Sequence, residues 1–236
     1  MTGSTGGSRG YFVESQRPLH ALLIVGAMVF LYEIGARTLA AGEVEWRIVA
    51  FTLIEWAYER LGATGRYLPP LVVLATLLAW QVASRQGWRC KGWHLLGMLV
   101  EGSLLAIPLV VIGAASMRYL PLMAGERPGT AAELIASIGA GVYEEFIFRL
   151  LLFAALHFLL VDVCKLNERW SMIGIILVSA VAFSAYHYLG SEPFVTRVFV
   201  FRTLAGVYFG LLMWTRGFAV TVISHSAYDV LITLLR

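Results

Sequence analysis

The chain has 236 residues, 59% of them hydrophobic and 14% charged, with a formal net charge of +3 and a mean hydropathy of +0.76. A soluble domain is about half apolar and about a quarter charged, so this composition excludes an ordinary soluble domain and indicates one helical membrane domain. The basic residues are spread to the ends of apolar runs, where topology signals belong, and nucleic-acid binding is excluded as a function.

In chain order, residues 1–18 open with a Gly/Ser/Thr-rich stretch and read as a polar leader; residues 19–130 read as N-terminal membrane helices. Leu19 to about Ala41 is long enough to span, and too long for the ~7–15-residue apolar core of a signal peptide. Glu33 and Arg37 stand four apart on it and can pair. Glu45 to Leu61 mixes Arg47, Glu55, Glu59 and Arg60 with aromatic and aliphatic residues, which suits an interfacial helix better than a span, with a buried crossing as the alternative. Pro69 and Pro70 then open an apolar run to about Ser84, and Arg85, Arg89 and Lys91 form the densest basic loop, placed in the cytoplasm by the positive-inside rule. Trp93 to Ser116 spans with Glu101 inside it. Glu133 to Val161, Trp170 to Leu189, Val198 to Trp214 and Phe218 to Leu235 complete about seven spans and one interfacial helix, or eight spans if Glu45 to Leu61 crosses. The expected fold is therefore an all-α, polytopic transmembrane bundle of about seven to eight helices with a buried polar site.

The polar site is expected within residues 131–236. Carboxylates at bilayer depth cost at least ~2.5–3.5 kcal/mol each on insertion scales, yet Glu144 and Glu145 are adjacent in an apolar run. Glu145 and Arg149 are one turn apart and can form an ion pair. Glu144 points about 100° away around the axis, free to act as a base. His187 ends the run Phe183-Ser184-Ala185-Tyr186-His187, and His225 and Asp229 stand four apart on the last helix. Arg202, Gly206 and Gly210 form a further ladder, in which small residues permit close packing and the arginine can meet a buried acid. His20, His94 and His157 have no acidic partner at helical spacing and read as interfacial polar tips. Cys90 and Cys164 resemble neither a metal pair nor a disulfide framework.

These segments resemble the motifs of the CPBP family, the CAAX-protease and bacteriocin-processing (Abi) intramembrane proteases. The motif of two glutamates followed by x-x-x-Arg reads Glu144-Glu145-Phe146-Ile147-Phe148-Arg149, Phe-x-x-x-His reads Phe183 to His187, and His-x-x-x-Asn/Asp reads His225 to Asp229. The resemblance covers about Glu133 to Leu235 and makes 131–236 a CPBP-like catalytic core. It implies an intramembrane endopeptidase in which Glu144 and His187 activate a water, His225 and Asp229 line the oxyanion side, and Glu145, Arg149 and Arg202 support them. Asp229 stands where Asn is found in the Ras-converting enzymes. An ionised aspartate has no hydrogen to donate, so the expectation is that Asp229 orients His225 as an acceptor.

No cofactor is expected; Glu, His, His and Asp would make a plausible zinc set, but no His-Glu-x-x-His helix supports one. The implied partners are a membrane-associated protein or peptide substrate and the bilayer itself, in what composition suggests is a bacterial inner membrane. A proton-coupled transporter and a non-catalytic immunity or regulatory protein on the same fold are the alternatives.

Overall fold

The computed structural model describes residues 10–39, 48–117, 130–189 and 192–235. Most of the Gly/Ser-rich leader, and Glu45 to Arg47 at the head of the interfacial segment, lie outside the described residues. The described residues form α1 (Tyr11–Glu14), α2 (Pro18–Leu39), α3 (Val49–Glu59), α4 (Leu68–Ala83), α5 (Gly92–Met117), α6 (Thr130–Val163), α7 (Glu168–Leu189), α8 (Thr196–Arg216) and α9 (Phe218–Leu235), with no strand among them. Within α6 the ladder widens into π turns at Phe146–Leu151 and Phe158–Val163, and α7 tightens into a 3₁₀ turn at His187–Leu189.

Local sequence explains several of the boundaries. Pro69 and Pro70 sit in the first turn of α4, where no intrahelical N–H is needed. Asn167 caps α7 by accepting from the backbone N–H groups of Arg169 and Trp170. Gly217 ends α8 at φ +84°, a left-handed conformation that favours glycine and lets α9 start at once.

Among the described residues, six helices, α2 and α5 to α9, are long and apolar enough to cross a membrane. The seventh expected span, from Pro69 to about Ser84, is α4, a shorter apolar helix of 16 residues. The crossing alternative for Glu45 to Leu61 fails on length: an 11-residue α3 rises only about 17 Å against a hydrocarbon core of about 30 Å. α3 instead packs against α4 and α6.

α9 lies at the centre, against α2, α5, α6 and α8, while α6 also packs on α2 and α7 on α8. The core joins Val25 and Tyr32 of α2, Val142, Tyr143 and Phe146 of α6, and Val222 and Ile223 of α9. Leu96, Val100, Leu104 and Val111 of α5 are exposed, as befits a surface solvated by lipid. Close approach uses small residues: a Cβ on Gly206 of α8 would lie 2.8 Å from the Ala180 Cα of α7.

At one end the N-terminal turn is tied to the basic loop. The Arg17 guanidinium donates to Gln86 Oε1 (2.9 Å), the Gly87 carbonyl (2.6 Å) and Glu14 Oε2 (2.7 Å). That last bond holds the Glu14 carboxyl below the usual carboxylate range. Glu101 accepts from Tyr11 (2.6 Å) and pairs with Arg216 at the foot of α8. Burial and the Glu101 carboxylate push the Tyr11 phenol well above its ordinary value.

Two of the three histidines expected to be interfacial tips are not. His20 is 0% and His94 4% exposed, with ring centroids 5.6 Å apart. Each sits in the first turn of its helix, and the Tyr11 and Trp93 rings beside His94 help enclose the pair. His157 is partly exposed and lies 3.5 Å from Asp162. Glu33 is buried and accepts from Tyr143 (3.3 Å), while Arg37 lies over the Tyr67 ring.

Candidate active site

Three helices carry the motif residues to one place. α6 and α9 pack so tightly that a Cβ on Gly141 would sit 2.8 Å from the Ser226 backbone nitrogen. This brings Glu144 and Glu145 level with His225. Just beyond them α6 enters its first π turn, which directs the Phe148 carbonyl to α7, where Ser179 Oγ donates to it at 2.8 Å. Such wide turns concentrate at functional sites because they re-aim side chains.

Glu145 and Arg149 are completely buried, with Arg149 Nε 3.2 Å from Glu145 Oε2. Arg149 also donates to the Gly206 carbonyl (3.1 Å) and stands 4.4 Å above the Phe183 ring. The other Glu145 oxygen, Oε1, lies 2.7 Å from His225 Nδ1. A carboxylate and a ring nitrogen so close share a proton, so one glutamate is bound to both the buried cation and the buried imidazole. The His225 ring stacks on Phe209 at 4.6 Å and 19°, which fixes its plane.

Glu144 faces the other way. Its Oε1 accepts from the Tyr186 hydroxyl at 2.5 Å. Its Oε2 lies 3.7 Å from His225 Nε2 and 4.0 Å from His187 Nε2. His187 Nδ1 donates to the Phe183 carbonyl at 2.8 Å, because a carbonyl oxygen can only accept. In the neutral ring His187 Nε2 is then an acceptor turned towards Glu144. Asp229, partly exposed, has Oδ2 3.5 Å from His225 Nε2.

A cavity of about 200 Å³ is lined by Glu144, His187, Arg202, His225 and Asp229, with Phe201, Phe209 and Tyr228 as its apolar walls. A second groove, of about 280 Å³, lies between α6 and α9 and shares Asp229 and Ile232 with it.

The structure thus brings Glu144, Glu145, Arg149, His187, His225 and Asp229 together. Arg202 reaches the cavity wall, but its partner is Glu192 at 2.9 Å, an exposed loop acid and not the buried one the ladder suggested. Glu145 holds the His225 ring by its Nδ1, and Asp229, expected to orient that ring, lies beside the other nitrogen, Nε2, at 3.5 Å. Tyr186 was not singled out beforehand, although its place beside His187 in the Phe183–His187 run was the available signal. The motif residues approach one another in pairs. Among the described residues, the group of three His, Asp or Glu ligand atoms lying within 4.8 Å of one another is elsewhere, at Glu14, His20 and His94.

An all-helical bundle of membrane length enclosing a carboxylate–histidine centre defines an integral membrane protein with a buried polar site. Residues 128–231 match the family model of Rce1-like proteins, the type II CAAX prenyl endopeptidase Rce1-like family, so this segment carries the CAAX-protease family resemblance drawn from its motifs. The match spans all three motifs and supports a CAAX-type intramembrane protease in general. No curated protein and no solved structure matches the chain.

Proposed function

We propose that this chain is an intramembrane endopeptidase of bacterial inner-membrane type that hydrolyses a peptide bond of a membrane-associated substrate with a water activated by Glu144 and His187. The carrying observation is the 4.0 Å gap between Glu144 Oε2 and His187 Nε2. Both atoms are acceptors facing one enclosed space, and a water at ordinary hydrogen-bond distances of about 2.8 Å fits between them. Such a water donates both hydrogens, leaving its oxygen lone pairs for a carbonyl carbon. Tyr186 occupies the other Glu144 oxygen, which supports Oε2 as the basic atom in this reading.

The oxyanion side falls to His225. With Nδ1–H given to Glu145, donation from Nε2 requires the imidazolium, whose charge the carboxylates of Glu145, Asp229 and Glu144 complement. Asp229 then serves as a counter-charge at the mouth, where the groove and the cavity meet. An extended peptide reaching the site along that groove presents its carbonyl between Glu144 and His225. The proposed chemistry uses the chain's own residues and calls for no cofactor. Prenylated substrates are those of the eukaryotic family members; the cavity walls here favour an apolar side chain next to the cleaved bond, which defines a class and not a sequence.

The test compares protein termini in membranes holding the wild type or Glu144→Gln. New termini within or beside hydrophobic segments are expected with the wild type alone. Identical sets of termini, with both proteins present at equal level, would overturn the reading.

A further inference from the structure

The proposed reaction leaves one buried polar cluster unused, at the basic end of the bundle. His20 is the third residue of α2 and His94 the third of α5. Neither nitrogen of the buried His20 ring has a hydrogen-bond partner among the described residues, and His94 Nδ1 has none either. Leaving such groups unsatisfied costs about 1–3 kcal/mol each. Glu14 of α1 completes the group: one ligand atom from each of the three residues lies within 4.8 Å of the other two.

We propose that Glu14, His20 and His94 form a binding site for a divalent transition ion of the zinc class, separate from the Glu144 centre. The three converging atoms are two ring nitrogens and a carboxylate oxygen, all able to donate a lone pair, so they suit a cation. Two histidines and one glutamate form a known zinc donor set with a fourth position left open. Glu14 and His94 of this group also line the cavity of about 900 Å³ bounded by the Arg85–Lys91 loop. The wall is basic, carrying Arg17, Arg85, Arg89 and Lys91. That field works against calcium or magnesium, which bind by charge to oxygen, and leaves metals that bond firmly to imidazole. Arg17 is already engaged with Gln86, Gly87 and Glu14, and its bond to Glu14 Oε2 holds the carboxylate in place. Ligand atoms around tetrahedral zinc stand about 3.4 Å apart, given bonds of about 2.0–2.2 Å, so binding draws the three side chains closer. The bound ion would fasten α1 to the first turns of α2 and α5.

The experiment uses the full chain in detergent, treated with a strong chelator and then titrated with Zn²⁺ or Co²⁺. Wild type and Glu144→Gln are each expected to take up one metal equivalent, with the visible bands of low-coordinate cobalt. His94→Gln and Glu14→Gln are expected to lose at least about tenfold in affinity, since losing even an outer-shell partner costs about 10–100-fold. Glu14→Gln also covers the case in which the buried His94 variant fails to fold, because Glu14 lies on the short outer helix. The proposal is overturned if the wild type takes up no metal, if Glu14→Gln binds like the wild type, or if uptake is lost in Glu144→Gln or His225→Ala instead. The last outcome would move the metal to the motif site and leave this cluster empty.

Discussion

At the motif end, Glu145 is buried completely and divides its oxygens between the Arg149 guanidinium and the His225 ring. At the basic end, His20 is buried just as completely and finds no partner for either nitrogen among the described residues. The first cluster matches its charges internally, by the Glu145–Arg149 ion pair and the Glu145–His225 contact, although Arg149 Nη1 has no hydrogen-bond partner among the described residues. The second converges without such a match. A buried polar group is tolerable only when its hydrogen bonds or charges are met, so a charge-matched cluster supports a reaction, whereas an open one calls for a ligand.

This contrast can be broken by substitution, and the largest effect should come at the gap beside Glu144. Glu144→Gln keeps the side-chain shape and removes the base, so turnover should fall by ~10²–10⁴ while the protein stays folded and membrane-inserted. Purified protein with near-wild-type cleavage would remove Glu144 from the chemistry. Glu145→Ala tests the charge match itself. It strands Arg149 and His225 without their carboxylate, and removing one partner of a buried ion pair costs about 3–5 kcal/mol. Thermal unfolding in detergent should show a large loss of stability along with lost activity; an unchanged midpoint would mean the cluster's charges are not matched by Glu145.

A smaller effect is expected at Tyr186→Phe, which deletes only the hydroxyl held by Glu144. A hydrogen bond to a charged group is worth about 1.5–3 kcal/mol of stability, so the variant should be destabilised by no more than that, with kcat lowered roughly ten- to a hundredfold by the loosened base. If kcat does not move, Tyr186 has no hold on the base. The smallest change belongs to the open cluster. In chelator-treated protein His20→Leu replaces an unpartnered ring with an apolar side chain, and stability should stay within about 1 kcal/mol of wild type or rise. A loss as large as that of Glu145→Ala would show that His20 is satisfied after all.

The same contrast explains what could be read before the fold was known. Glu145 with Arg149 and His225 with Asp229 are local pairs, four apart on one helix, and membrane burial makes such pairs conspicuous. The helical class and the apolar spans follow from composition and run length for the same reason. Glu14, His20 and His94 come from three segments and carry no shared spacing, so only packing unites them. The link from Glu145 to His225 crosses two helices, and nothing local told it from the His225–Asp229 spacing. Arg202 shows the opposite failure: the ladder with Gly206 was real as packing, but the acid it meets lies on the loop before α8. The single-residue widening of α6 leaves no mark in hydrophobic periodicity over so apolar a run.

That widening at Phe146–Leu151 has a consequence for how the chain tolerates changes of length. A π turn houses one residue more than the regular ladder needs, so it absorbs a one-residue difference in length between the two halves of α6. Deleting one residue just after Arg149 would close this turn into the regular ladder, leaving Glu144 and Glu145 where α9 holds them and the following Leu152–His157 turn close to its present facing. The motif and the following half of the same helix can thereby differ by one residue in length while both keep their facing.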